Sequence, residues 1–420
     1  MRIKSEIIRN SSIVMSGNFI GQAVTFLAYP LLTRIYSEAD FGVFATYMSI
    51  CSLTAIVATG RYEEALLIAG DRNETVSILG FSIKWLTLFS ALIFTALALF
   101  RRQIFGLLKY DGLENVWYYI PVSIFMMGLT AMANNLAVRE MKFKTVARSG
   151  VAQNLTNTAS KLGFGFAGLT GLGLVASNVT ALLSAIISYL PLKKYFLKAL
   201  THSRWRDEKA AAAIHSDFPK YNLVRNITAS FAVNLPFLYL AGFFMPEQSG
   251  LLALAAFAVS APVNLVTGSL FFTFSNKITL LKREGKPIMP FVKTYWKGLL
   301  MFVLPTFAVV FIIARPMFGF IFGQQWEASG IYFRMMLPWM FMLMATNPVY
   351  TIFMVFKKQQ KTLYIELAGL ALRLTALFTG IIKHDFNLSV MLFYASGFLI
   401  TSISFIWIYS IIRRYETTTE

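Results

Sequence analysis

The chain has 420 residues, of which 56% are hydrophobic and 14% charged, whereas an ordinary soluble domain carries about 25% charged residues. That balance excludes a soluble globular class and describes a membrane protein, in which a spanning helix needs about 20 mostly apolar residues. A net charge of +18 would suggest nucleic acid in a soluble protein; here its distribution is read against the membrane first, and no nucleic-acid partner is expected.

In chain order, spans are predicted at roughly 12–33, 41–60, 76–100, 115–138, 146–168, 172–192, 221–244, 250–275, 294–314, 331–354, 362–382 and 388–411. The expected class is an all-α polytopic membrane protein of about 12 transmembrane helices. The first span follows a basic start (Arg2, Lys4, Arg9), exceeds a signal h-region and has no small-residue cleavage site, so it is expected to stay. Starting from an inside N-terminus, connections on that side carry 26 Lys and Arg. The other side has 6: Arg34, Arg101, Arg102, Lys109, Arg315 and Lys383. Such a bias predicts that both termini are cytoplasmic.

A shift of 208 positions lays Phe244-Met-Pro-Glu-Gln-Ser-Gly250 over Tyr36 to Gly42, each a short turn between two apolar runs. The chain therefore reads as two similar halves, a secondary-transporter pattern with the substrate between the repeats. Six helices per half put both halves in the same orientation, as parallel repeats. The expected organisation is a six-helix bundle over 1–200, a cytoplasmic linker over 201–220 and a second six-helix bundle over 221–420, around a central cavity. Within the linker, Asp207 to His215 is predicted as a short surface helix.

Polar residues inside spans are the informative ones, because a charge near the bilayer centre costs at least about 2.5 to 3.5 kcal/mol and so faces protein or water. In the first span Ser11, Asn18, Gln22, Thr25 and Tyr29 share a face, as do Tyr47, Thr54 and Arg61 in the second. In the seventh, Asn222, Asn226, Ser230 and Asn234 repeat every four residues with Arg225 beside them; the eighth adds Ser260, Asn264 and Thr267. Matching stripes on the first two helices of each half are what a central water-filled cavity requires; the plainer alternative is interhelical hydrogen bonding in a packed bundle. The fifth span carries Asn154, Thr158 and Lys161, and the eleventh Thr362, Glu366 and Arg373. Arg61, Lys161, Arg225 and Arg373 at one cavity would suit a phosphorylated or otherwise anionic substrate, since guanidinium grips phosphate oxygens in pairs. Arg61, Arg225 and Arg373 also have plainer roles, snorkelling to the interface or pairing with an acid, whereas Lys161 is the deepest by the span edges and reads as functional. Glu366 is the candidate carboxylate for coupling to H+ or Na+; Glu63 and Glu64 read as interfacial.

Other chemistries find no support. Cys51 is the single cysteine, and His202, His215 and His384 are scattered, so no metal motif forms. Gly163-Phe-Gly-Phe-Ala-Gly168 fits a dinucleotide fingerprint by letter but has no preceding strand, and reads as helix packing. Gly17-Asn-Phe-Ile-Gly21 and Gly319-Phe-Ile-Phe-Gly323 have the spacing of close helix approach or turns. There is no phosphate-binding lysine loop, nucleophilic triad or cofactor motif.

Four stretches, Leu31-Leu-Thr-Arg-Ile-Tyr-Ser-Glu-Ala-Asp-Phe-Gly-Val-Phe44, Ala58-Thr-Gly-Arg-Tyr-Glu-Glu-Ala65, Asp217-Phe-Pro-Lys-Tyr221 and Ile321-Phe-Gly-Gln-Gln-Trp-Glu-Ala-Ser-Gly330, resemble in order those of the Wzx-type polysaccharide flippases. These belong to the superfamily of MATE exporters and lipid II flippases. Glu38-Ala39 stands where the family often has Pro-Glu. The resemblance covers about residues 10–412. It implies two six-helix bundles with alternating access in the bacterial inner membrane. It also implies an undecaprenyl-pyrophosphate-linked oligosaccharide moved to the periplasmic leaflet for O-antigen or capsule assembly. A polysaccharide polymerase and chain-length proteins would be candidate partners beside the membrane lipids. By analogy with lipid II flippases, Arg61 and Arg225 are first choices for the headgroup, Lys161 and Arg373 next, with Gln22, Asn222, Asn226 and Asn264 for the sugar.

The runner-up is a MATE-like, ion-coupled exporter of drugs or metabolites, which should carry deep acids in its N-terminal half; the first span has none. A membrane glycosyltransferase, polymerase or ligase would need a sizeable catalytic loop, and the longest candidate, about 315–330, is short and poor in acids. A plain scaffold would not need polar stripes on matching helices.

Overall fold

The computed structural model describes the backbone of residues 2–356 and 358–419, and their side chains except those of residues 2–16, 18, 111, 225, 265, 269, 272, 359–361, 363, 418 and 419. Ser11, Asn18 and the candidate Arg225 therefore lie outside the described side chains.

The chain is all-α, with no strand among the described residues. Its first helices are α1 (Arg2–Ile35), α2 (Glu38–Thr59), α3 (Tyr62–Ala65), α4 (Arg72–Leu108), α5 (Tyr119–Arg139) and α6 (Phe143–Phe166). Next come α7 (Gly171–Ser188), α8 (Lys193–Thr201), α9 (Trp205–Ile214), α10 (Leu223–Tyr239), α11 (Pro246–Arg283) and α12 (Met289–Gly298). The last are α13 (Leu304–Phe322), α14 (Ser329–Thr346), α15 (Thr351–Val355), α16 (Gln359–Ile382) and α17 (Phe386–Thr419). Every predicted span falls on these helices, 294–314 across α12 and α13 and 331–354 across α14 and α15. Eight described stretches are long and apolar enough to cross a membrane: α2, α4, α5, α7, α11, Met289–Phe322, the part of α16 from Tyr364, and α17 up to Thr417. The other four spans fall on α1, α6, α10 and α14. In α6 the reason is plain, since Asn154, Thr158 and Lys161 interrupt its apolar surface; α10 has only 17 residues.

Local chemistry sets the boundaries. At the start of α2, Ser37 Oγ accepts from the Asp40 backbone N–H (3.2 Å) and Asp40 Oδ2 accepts from the Ser37 N–H (3.0 Å), a reciprocal capping box. The starts of α2 at Glu38 and α11 at Pro246 are 208 positions apart, the spacing of the sequence repeat. The predicted end of the third span, at 100, coincides with a kink in α4 where Phe100 leaves helical geometry.

Two compact units divide the chain, Met1–Ser249 and Gly250–Glu420. In the first, α1 packs on α6 through Gly17 and Gly21: a Cβ on Gly17 would lie 3.2 Å from Ala147 Cβ, and one on Gly21 2.7 Å from Asn154 Nδ2. A Cβ on Gly165 would meet Ile35, so the glycine-rich end of α6 is a packing surface, as its sequence suggests. The core of this unit gathers Tyr47, Leu79, Leu86, Ile124 and Leu136. The helix α10 packs on α2 and belongs to this unit by contact, although the repeat assigns it to the second half. In the second unit the core is built on Phe274, Ile278, Val292, Ile352, Phe353 and Ile412.

The stretch 201–220 is more than a surface connection. The predicted helix forms as α9, and its Glu208 is fully buried against α4, where Lys84 Nζ donates to both carboxylate oxygens at 2.7 and 2.8 Å. Trp205 stacks on Phe81 and lies under the Lys84 ammonium, and His215 Nε2 is 2.8 Å from Glu74.

Candidate functional site

The polar residues of the first unit form three groups. The first is built by a turn after α2. Gly60 and Arg61 both adopt left-handed backbone (φ 57° and 60°), a conformation natural for glycine and unusual for arginine. The chain thus doubles back and α3 folds its acids around Arg61. The guanidinium pairs with Glu63 at 3.2 Å and, more closely, with Glu64. Glu63 is 1% exposed and its Oε2 has no hydrogen-bond partner among the described residues. Burial pushes its carboxyl above the usual carboxylate range, opposed by the neighbouring Arg61. Glu64 Oε2 also accepts from Asn222 Nδ2 at 2.7 Å, and Asn135 Nδ2 donates to the Glu63 carbonyl at 3.0 Å. A cavity of about 390 Å³ opens here, lined by Arg61, Glu63, Glu64, Asn134, Asn135 and Phe218 among others. One guanidinium thus faces two carboxylates. Reading Glu63 and Glu64 as interfacial missed this; the turn at 60–61 is what brings them onto Arg61.

The second group centres on Lys161. Its side chain is 4% exposed, and the ammonium lies 4.5 Å from the centre of the Phe44 ring. The Tyr36 hydroxyl donates to the Lys161 carbonyl at 2.7 Å, and one turn earlier the Thr158 and Thr25 hydroxyls share a hydrogen bond of 3.1 Å. Gln22, half-buried, lies one turn further along α1. Among the described residues no carboxylate lies within ion-pair distance of Lys161. A cation over a ring gains about 2 kcal/mol when desolvated. Removing an ion from water costs several, so this buried ammonium is not there for stability.

The third group is the amide row on α10, and much of it is satisfied within its own helix. Asn226 Nδ2 donates to the Asn222 carbonyl at 2.8 Å, and Asn234 Nδ2 to the Ser230 carbonyl at 2.9 Å. Toward α2, Ser52 Oγ donates to Asn234 Oδ1 at 3.5 Å. The predicted face of α2 divides. Tyr47 turns into the core, its hydroxyl 2.5 Å from Ser123 Oγ, because the α2–α5 contact surrounds it.

In the second unit, Arg373 of α16 sits between the rings of Trp339 (5.0 Å) and Phe393 (5.8 Å), with its Nε buried and unbonded among the described residues. Glu366, two turns earlier, accepts from the Tyr350 hydroxyl at 3.3 Å. On α11 Asn264 is exposed while Thr267 turns inward. Of the candidates, then, the structure joins Arg61 to Asn222 through Glu64, and keeps Lys161 apart from them on α6, with no carboxylate in ion-pair reach among the described residues. Arg334 and Lys84, both within predicted spans, are cations that the sequence reading passed over; a single charge inside an apolar run was the available signal.

Residues 31–330 match the family model described as "Polysaccharide biosynthesis protein". A search of curated sequences gives no significant match. Among solved structures, the fold is similar to that of the lipid II flippase MurJ in an inward closed conformation, with TM-score 0.76, 11% identity, 98% of this chain and 90% of that one covered. It is also similar to an inward-facing multidrug resistance MATE transporter of the MOP superfamily (TM-score 0.67, 13% identity, 95% and 96% covered). A MOP superfamily transporter from Pyrococcus furiosus gives TM-score 0.56 at 14% identity over 98% and 97%. Likeness at such identities is likeness of fold.

Proposed function

We propose, because this chain belongs to the polysaccharide biosynthesis protein family, that it is a flippase for a lipid-linked anionic sugar. The cargo would be an undecaprenyl-pyrophosphate-linked oligosaccharide repeat unit, carried across the bacterial inner membrane by alternating access for O-antigen or capsular polysaccharide synthesis. It is a transporter and not an enzyme in this reading, with both termini cytoplasmic and the six-helix halves divided at 201–220.

The observation that carries the reading is Lys161, a buried ammonium of the N-terminal unit with no carboxylate in ion-pair reach among the described residues. A diphosphate supplies the countercharge this site lacks, and its arrival offsets the desolvation of the lysine. We therefore place Lys161 ahead of Arg61, which already has two carboxylates on it, with Arg225 and Arg373 as further contacts. Gln22, Asn222, Asn226 and Asn264 remain the proposed sugar contacts, and Glu366 the proposed coupling carboxylate for H+ or Na+.

The test is genetic. In a strain lacking the gene, undecaprenyl-linked repeat units should accumulate and surface polysaccharide should be lost. Wild type should restore both, and Lys161→Met at equal expression should restore neither. Normal polysaccharide with altered sensitivity to cationic drugs would instead support the MATE-like exporter.

A further inference from the structure

A cleft of about 520 Å³ runs between α13, α14 and α17, with walls that include Phe307, Phe311, Leu337, Phe341 and Phe398 and no polar side chain. It opens on a part of the chain built to face hydrocarbon. Only 11% of the most apolar window of Met289–Phe322 is buried. Pro338 also lines the cleft, and having no N–H it cannot bond the carbonyl of Arg334 four residues earlier.

Arg334 stands at the rim. Its guanidinium lies 5.8 Å from the centre of the Phe311 ring and Nη2 donates to the Ile312 carbonyl at 2.5 Å, and both of these residues line the cleft. Its Nε is without a hydrogen-bond partner among the described residues, and no carboxylate there comes within ion-pair distance. The contrast is Arg315 on α13, which is paired with Glu327 at 2.6 Å. A cation without a countercharge at the end of an apolar cleft matches a lipid whose hydrocarbon chain fills the cleft and whose phosphate accepts from the guanidinium. A polyprenyl phosphate, the lipid that the flippase reading calls for, is such a lipid: a long hydrocarbon chain ending in a phosphate.

We propose that this cleft is the tail site of the transported lipid, with α13, α14 and α17 holding a polyprenyl chain and Arg334 holding its phosphate. The assignment rests on the flippase reading and adds to it where the tail is held. By the charge bias of the connections, Arg334 lies toward the periplasmic end of α14, so the site serves the lipid at that leaflet.

The test uses the purified full-length chain in nanodiscs and a polyprenyl phosphate bearing a diazirine in its chain. Adducts mapped by mass spectrometry should fall on α13, α14 and α17 and be competed by undecaprenyl phosphate but not by phosphatidylglycerol. Ala308→Trp, which fills the cleft, should cut labelling roughly tenfold, and Arg334→Gln should do so for the phosphate probe but not for the matching alcohol. Because the wild-type adduct map needs no variant, misfolding of either substitution does not decide the matter. Competition by phosphatidylglycerol would make the cleft a general lipid contact and overturn the proposal. Undecaprenyl phosphate-sensitive adducts confined to other helices would overturn it too, while leaving the flippase reading in place. The absence of any such adduct would remove both.

Discussion

The Tyr36 hydroxyl donates to the backbone carbonyl of Lys161 across 125 positions of sequence, at 2.7 Å and out of water. This bond ties the end of α1 to α6 at the residue whose ammonium lies over Phe44, so it orients the proposed headgroup site. Tyr36→Phe should therefore lower stability by about 1 kcal/mol, the usual net worth of one such bond. Thermal unfolding in detergent measures this; an unchanged midpoint would show that the bond holds nothing in place.

Lys161→Met should separate stability from function. Removing an uncompensated buried charge while keeping the volume should raise stability, by about 1 kcal/mol or more, while abolishing export. A variant less stable than wild type would mean that the ammonium has a countercharge in the resting protein.

Glu63 predicts a pH dependence with a definite sign. Burial raises its carboxyl in the folded state, so the folded protein binds this proton more tightly than the unfolded chain does. Its contribution is then most favourable below the unfolded value and is lost as pH rises through the folded one. Glu63→Gln, neutral at every pH, should unfold later than wild type at pH 8, and the difference should shrink as pH falls toward 5. Parallel curves for the two proteins would sink this account.

The contact between Lys84 and Glu208 predicts an asymmetry. Glu208 is fully buried, whereas the Lys84 side chain is 42% exposed. Lys84→Ala strands a buried carboxylate, a change that costs about 3–5 kcal/mol in closed interiors and less here because the lysine side chain is partly exposed. Glu208→Ala leaves only a partly exposed ammonium, still over the Trp205 ring, without its partner. Hydrogen exchange in α9 should consequently rise more in Lys84→Ala than in Glu208→Ala, and equal protection in the two would refute the asymmetry.

Much of the fold was legible in the sequence because its signals are local. Apolar length marks the helices, Ser37 and Asp40 cap α2, Gly17 and Gly21 announce a close approach, and the 208-residue shift carries from Glu38 to Pro246. Each depends on neighbours within a few residues. The candidate cations were visible as well, since a charge in an apolar run stands out whatever surrounds it.

What the tertiary structure decided is which of those charges are already answered. Arg61 looked like a free headgroup contact until the left-handed turn at Gly60 and Arg61 wrapped Glu63 and Glu64 around it. Lys161 ranked behind it for the headgroup, yet α6 places it beside a phenyl ring with no carboxylate in ion-pair reach among the described residues. The amides of Asn226 and Asn234 looked available and are bonded to their own helix. Sequence alone determined the membrane-spanning, all-α character of this protein, because hydrophobicity and helix periodicity belong to the chain itself. Countercharge and hydrogen-bond satisfaction belong to pairs of groups distant in sequence, and packing is what brings those pairs together.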